Sequence, residues 1–220
     1  MRIFLIHGMG RTPASMWLLS QRLRRAGHRT STFGYTVTLE GLETIGERFL
    51  GHIRDGLAKE RARSGVAEPE FAVVGHSLGN VVTRMVSPRL PAGFGGFVML
   101  APPNRSPAMA RLLGDNPVFQ AVTQDAGRKL VDDEFFERLP VPDVPALIIA
   151  GTRGPQLRWL PFGEQAHDAV VGVDEARLDG IPLVEVPAVH TFLMNRGDVF
   201  ALIREFLDRR TAHKGGADRP

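Results

Sequence analysis

Short apolar runs alternate along the chain with longer stretches in which apolar residues recur every three or four positions. Ile3 to Ile6 is a run of strand length that ends at His7-Gly8. Thr12-Pro13 then reads as a helix start, with threonine as the cap and proline at the first helical position, where its missing N–H costs nothing. Met16, Leu19, Leu23 and Ala26 follow at helical spacing, and Gly27 is placed to end that helix. A weaker strand is expected from Arg29 to Tyr35, then an amphipathic helix carried by Leu42, Ile45, Phe49, Ile53 and Leu57. Phe71 to Val74, Phe97 to Leu100, Ala146 to Ile149 and Leu183 to Val186 read as four further strands. Asn80 to Val86 predicts a short helix that is apolar on most sides and stopped by Pro88. Asp198 is placed to cap a last helix that carries Val199, Ile203, Phe206 and Leu207.

Six strands that each run into a turn, usually followed by a helix, describe an α/β fold. With right-handed crossovers they form a doubly wound, mostly parallel open sheet. Pro103 to Pro145 breaks the pattern: helical pieces around Met109-Leu113 and Asp132-Leu139 are mixed with Pro, Gly and Asn. This segment reads as a lid-like insertion over the strand ends. One domain is expected over residues 1–210, with a disordered polar tail at 211–220.

Composition narrows the function. At 220 residues the chain suffices for one sizeable core and is short for two domains. It holds 27 basic against 24 acidic side chains, and the arginines are scattered, so the charge argues for a solvated surface and against a nucleic-acid partner. The absence of cysteine excludes disulfides, a thiol nucleophile and thiolate metal sites. No histidine pair has ligand spacing, so no metal or cofactor is expected. The first apolar run is too short for a signal peptide and no stretch reaches transmembrane length, so a cytoplasmic protein is expected.

On a parallel sheet, ligands sit beyond the carboxyl ends of the strands, and the residues there carry the chemistry. Gly75-His76-Ser77-Leu78-Gly79 lies between an apolar strand and a helix. A serine hydroxyl is a poor nucleophile unless it is lifted into the open beside a base, and a sharp strand-to-helix turn does this. Gly75 and Gly79 are expected to pass close to each other in this turn, where side chains would collide. Leu78, at the helix start, can offer its N–H to a developing oxyanion.

Among the seven histidines, His190 lies just past the last strand and before the last helix, where a base can reach the serine. His7 reads as structural, orienting the loop that follows it. A histidine base needs a buried carboxylate to fix its tautomer. The loop after Ala146-Ile149 contains Glu164, Asp168, Asp174 and Glu175. Asp168 is favoured because Ala169-Val170-Val171 would tuck it under the sheet, whereas Asp174 is placed as a helix cap. Glycines at His7-Gly8-Met9-Gly10 let the backbone approach a substrate, with the Met9 N–H as a second oxyanion donor.

Leu5-Ile6-His7-Gly8-Met9-Gly10-Arg11-Thr12, Gly75-His76-Ser77-Leu78-Gly79, Ala101-Pro102-Pro103-Asn104, Asp168-Ala169-Val170-Val171 and His190-Thr191-Phe192-Leu193 together give the chain its resemblance. It resembles the α/β-hydrolase superfamily, in particular its small bacterial lipase- and esterase-like members, over nearly its whole length. The resemblance implies Ser77 as nucleophile, Asp168 as acid, His190 as base, and backbone donors at Met9 and Leu78. Two positions depart from the family pattern: Asn80, where a third small residue is common, and Ala169, where glycine commonly follows the acid. The implied activity is hydrolysis of a carboxylic ester with a short or medium acyl chain through an acyl-enzyme on Ser77. A thioesterase or acyltransferase would use the same groups, and a non-catalytic acyl-binding protein would keep the fold. Met9, Met16, Trp17, Met109, Trp159 and Phe162 are the candidates for an apolar acyl pocket.

Overall fold

The computed structural model of the chain describes residues 1–215. Six strands, β1 (Arg2–Ile6), β2 (Arg29–Phe33), β3 (Phe71–His76), β4 (Phe94–Leu100), β5 (Ala146–Gly151) and β6 (Leu183–Val186), form one sheet. Their order is β2-β1-β3-β4-β5-β6, and every neighbouring pair is parallel. Strands buried on both faces read as continuous apolar runs, and all six residues of β3 are buried. The chain steps from β1 to β2 on one side, then returns past β1 to β3 on the other. The strand order therefore reverses between β1 and β3, where a crevice opens at the carboxyl edge of such a sheet.

Side chains alternate across the sheet and build two cores. Phe4 and Ile6 of β1 face one cluster, with Phe71 and Val73 of β3, and α2 (Leu42–Ser64) and α3 (Leu78–Val86) cover it. Ile3 and Leu5 face the other, with Ala72 and Val74, against α1 (Trp17–Arg25) and the last helix. Burying each such Ile, Leu or Phe contributes roughly 1.5–3 kcal/mol.

The first helix differs from expectation at its start. Pro13–Met16 is a 3-10 turn, the Thr12 side chain makes no capping bond, and α1 begins only at Trp17. The second strand ends at Phe33, two residues short of Tyr35.

The segment from Pro103 to Pro145 holds three helices: α4 (Ala108–Leu113), α5 (Pro117–Leu130) and α6 (Asp133–Arg138). The middle one was not expected. Asn116 caps it by accepting hydrogen bonds from the Val118 and Phe119 N–H groups, with Pro117 at the first position. It kinks at Gln124, whose φ is 48°. Beyond the kink Asp125 accepts from the Leu42 N–H at 2.8 Å, and Lys129 pairs with both Asp125 and Glu43, which fastens this half to the start of α2.

A short helix, α7 (Val173–Ala176), follows β5 after a long loop, and α8 (Gly197–Gly215) ends the described chain. Asp198 lies in the first turn of α8, where its Oδ1 accepts from the Val199 N–H at 2.8 Å. The tail expected from Thr211 starts within this helix, and its remainder lies outside the described residues.

Candidate active site

Ser77 sits between β3 and α3 with φ 51° and ψ −124°, a strained conformation for a residue with a side chain. The surroundings hold it there. Its N–H donates to the Leu100 carbonyl at 2.9 Å, and its own carbonyl accepts from the Asn80 N–H at 2.9 Å. Gly75 and Gly79 do not oppose each other as expected; each answers to a different neighbour. A Cβ at Gly79 would stand 2.7 Å from the carbonyl oxygens of Ile6 and His7, at the end of β1. A Cβ at Gly75 would collide with Asn80 Oδ1. Asn80 is thus the reason one glycine is needed. Its Nδ2 also donates to Leu100 O at 3.0 Å, so one carbonyl of β4 fastens both Ser77 and Asn80.

His190 opens a 3-10 turn after β6 and is tied down at three points. Its Nδ1 lies 2.7 Å from Asp168 Oδ2. Its N–H donates to the Asp168 carbonyl at 2.9 Å. Its own carbonyl accepts from His76 Nε2 at 3.0 Å, and the two imidazoles lie 4.8 Å apart. His76 immediately precedes Ser77, so this bond brings the 190 backbone to the serine turn. The tautomers follow from the acceptors. His76 carries its proton on Nε2, and His190 carries one on Nδ1 facing the carboxylate, which leaves Nε2 free to accept. Burial, with His190 beside it, pulls the His76 imidazole far below the usual histidine range and keeps it neutral.

Asp168 is 1% exposed, and hydrogen bonds satisfy its carboxylate. Oδ1 accepts from the N–H groups of Val170 at 2.9 Å and Val171 at 2.8 Å, while Oδ2 faces His190. The tight loop that makes these bonds possible puts Ala169 at φ 88°, in the region that favours glycine. The departure from the family pattern at this position therefore costs backbone strain and leaves the Asp168–His190 pair in place. Asp174 does not cap α7. The helix starts one residue earlier, and Asp174 is an exposed first-turn residue 3.3 Å from Arg177 Nε. Its neighbour Glu175 has a structural role that the sequence did not reveal. Oε1 accepts from the Ala108 N–H at the start of α4, and Oε2 from the Gly172 N–H of the Asp168 loop, joining the insertion to that loop.

The Gly8-Met9 turn after β1 lies against the serine, since a Cβ on Gly8 would stand 2.9 Å from both Ser77 Cβ and His76 Nδ1. Among the described residues, neither the Met9 N–H nor the Leu78 N–H takes part in a hydrogen bond. The chain's single tyrosine holds this turn from behind. Tyr35 is buried, its hydroxyl donates to the His7 carbonyl at 2.8 Å, and its ring stacks on the His7 imidazole at 4.5 Å. Burial lowers the pKa of His7. His7 Nδ1 donates to Gly8 O at 2.9 Å, in keeping with the expected role of orienting this loop.

A cavity of about 150 Å³ opens at Ser77 and runs beneath α4 and α5. Of the six residues expected to line an apolar pocket, Met9 and Met109 do. Met16 is buried in the core behind the sheet, Trp17 and Trp159 are exposed, and Phe162 stacks on His167 at 4.1 Å. Spacing alone could not tell these fates apart. Arg84 of α3, 2% exposed, donates to the carbonyls of Leu139 and Pro140 and to Asn104 Oδ1. Burial pushes its pKa down to about 10. Asn104 in turn donates to the Ala176 carbonyl at 2.7 Å, so the helix that starts at the serine is braced against both ends of the insertion and against α7. Among the described residues, no group of three or more His, Cys, Asp or Glu could hold a metal ion, and no helix is long and apolar enough to cross a membrane.

These features define a hydrolase-fold protein, and comparison with known proteins agrees: residues 3–220 match the Alpha/beta hydrolase family, to which the chain belongs. No protein of curated function matches it. A mature lipase from Bacillus licheniformis is similar in structure, with a TM-score of 0.72 at 14% identity, covering 94% of this chain and 91% of that one. A structure of the metagenome-derived lipolytic enzymes LipS and LipT gives 0.66 at 19% identity, covering 96% and 94%. An inhibitor complex of an epoxide hydrolase from Bacillus megaterium gives 0.60 at 12% identity, covering 94% and 93%. At these identities the likeness is one of fold.

Proposed function

We propose that the protein is a serine hydrolase of carboxylic esters, with Ser77 as nucleophile, His190 as base and Asp168 as the acid that orients it. The observation that carries this reading is the 2.7 Å bond from His190 Nδ1 to a buried carboxylate, on a histidine whose backbone is tied to the residue before Ser77. The fold serves several chemistries, so the side chains at the site decide between them.

In the first step Ser77 Oγ bonds to the ester carbon as its proton passes to His190 Nε2. The unpaired N–H groups of Met9 and Leu78 receive the oxyanion. The C–O bond to the alcohol then breaks, and the alcohol leaves with the proton from His190. Water repeats the sequence: it gives a proton to His190 and bonds to the acyl carbon, and Ser77 Oγ departs and regains its proton. Asp168 steadies the imidazolium. The apolar cavity beside Ser77 favours an acyl chain of short or medium length over a polar group.

The test is labelling with a fluorophosphonate, which reacts only with an activated serine. Wild type should take up one equivalent and Ser77→Ala none. Equal labelling of the two would refute the assignment.

Tyr35 enters this mechanism as a positioning residue. Tyr35→Phe removes the hydroxyl that holds the His7 carbonyl and with it the set of the Met9 N–H. Loss of a direct oxyanion donor costs 10²–10³ in kcat, so loosening its support should cost about tenfold. KM should stay within about twofold, and phosphonylation of Ser77 should slow in parallel. If only thermal stability moved, Tyr35 would be an ordinary core residue.

A further inference from the structure

Two observations about the cavity beside Ser77 fix what it accepts. The first is composition: Ser77 supplies the only hydroxyl among its lining side chains, and none of them carries a charge. The second is size. An apolar cavity of about 150 Å³ holds one benzene ring, that is, six carbon atoms, and this cavity measures about 150 Å³.

Its walls differ in burial. The inner wall is core: Leu78, Ala110, Leu130 and Val171 are all buried. The outer wall is Met109, Leu113 and Phe119 of α4 and α5, all half-buried. Leu130 belongs to the half of α5 that Asp125 and Lys129 fasten to α2, so this part of the wall is held by that attachment. A chain that enters from Ser77 would meet Ala110 and Leu130 among the buried side chains of this wall, its floor.

We propose that this cavity measures the acyl chain and that the enzyme hydrolyses esters of straight-chain acids of about six carbons in preference to both shorter and longer ones. The inference rests on the serine-hydrolase reading above and adds the substrate to it. Ala110 and Leu130 are the residues that set the length. Each methylene that finds room in an apolar pocket gains about fourfold in binding. From acetyl to hexanoyl, kcat/KM should therefore rise by about 10²-fold. Beyond the floor the gain ends and the chain must turn back into water, so decanoyl and dodecanoyl esters should react more slowly than hexanoyl.

The experiment is a series of nitrophenyl esters from acetyl to dodecanoyl, run on the full chain and on two variants that change the floor in opposite senses. Ala110→Leu adds three carbons to the buried wall and should move the optimum to butyryl or shorter. Leu130→Ala removes three and should move it to octanoyl or longer. Fluorophosphonate labelling of each variant reports whether the site remains assembled, and Ala110→Leu alone decides the matter if Leu130→Ala does not fold. A wild-type optimum at dodecanoyl, or an optimum that labelled Ala110→Leu leaves unmoved, would overturn the proposal and leave the hydrolase reading standing. No labelling and no hydrolysis at any length would remove both.

Discussion

Ser77→Ala is expected to lower kcat for a hexanoyl nitrophenyl ester by about 10⁴- to 10⁶-fold, and His190→Ala by a similar factor. The two side chains act as one unit. Without the hydroxyl there is no bond to the acyl carbon, and without the imidazole the hydroxyl keeps its proton. The double variant should therefore be no slower than either single one, although two independent contributions would multiply. A residual rate about 10³-fold above water is expected from the N–H groups of Met9 and Leu78, because they need neither side chain. Folding should survive both changes. Ser77 makes its structural bonds through its backbone, to Leu100 and Asn80, and alanine keeps them. His190→Ala loses one buried bond to Asp168 and keeps the two backbone bonds that place residue 190. Steady-state kinetics on purified variants, with circular dichroism to show retained structure, measures this. Ser77→Ala hydrolysing the ester at the wild-type rate would sink the mechanism.

The fold was legible because the parallel sheet writes itself plainly. Strands with both faces covered must be largely apolar, and the four inner strands were visible as short apolar runs, whereas the edge strand β2 is mostly polar and was expected only as a weaker strand. The serine turn was legible for a related reason, since a residue at φ 51° between a strand and a helix demands small neighbours. What stayed hidden depends on contacts between residues far apart in the chain. Tyr35 looked like the end of a strand, and only the packing of β2 beside β1 brings its hydroxyl to His7. Arg84 looked like a polar residue in an apolar helix, and nothing local announces that the carbonyls of Leu139 and Pro140 wait for it. Glu175 stood among four acidic candidates, and its bond to the Ala108 N–H spans 67 positions. The start of α5 is a different kind of miss. Asn116-Pro117 is a helix-start signal, with a capping side chain followed by proline, and it was readable. The stretch behind it, partly polar and with a kink at Gln124 and a glycine at 127, masked the helix.

Asp168 offers the most demanding test of the proposed site, because one substitution can separate its electrostatic part from its structural one. Asp168→Asn is nearly isosteric. Its amide oxygen can still accept from the Val170 and Val171 N–H groups, so the loop and the fold should hold. What then faces His190 Nδ1 is an NH₂ group, a donor where an acceptor stood. The imidazole must answer with its lone pair, moving its proton to Nε2, and Nε2 can no longer take one from Ser77. The expected result is a loss of about 10⁴-fold in kcat with little change in thermal stability, the signature of a wrong tautomer in an intact site. Asp168→Ala should behave differently. It also strands two N–H donors, a buried one at Val171 and a partly buried one at Val170, and an unsatisfied buried donor costs about 1–3 kcal/mol, so both stability and activity fall. Asp174→Asn is the control, since that carboxylate is exposed and, among the described residues, bonded only to Arg177, and its removal should leave kcat unchanged. If Asp174→Asn were the slow variant and Asp168→Asn the unaffected one, the hydrogen bond at His190 would be structural and the acid would lie elsewhere.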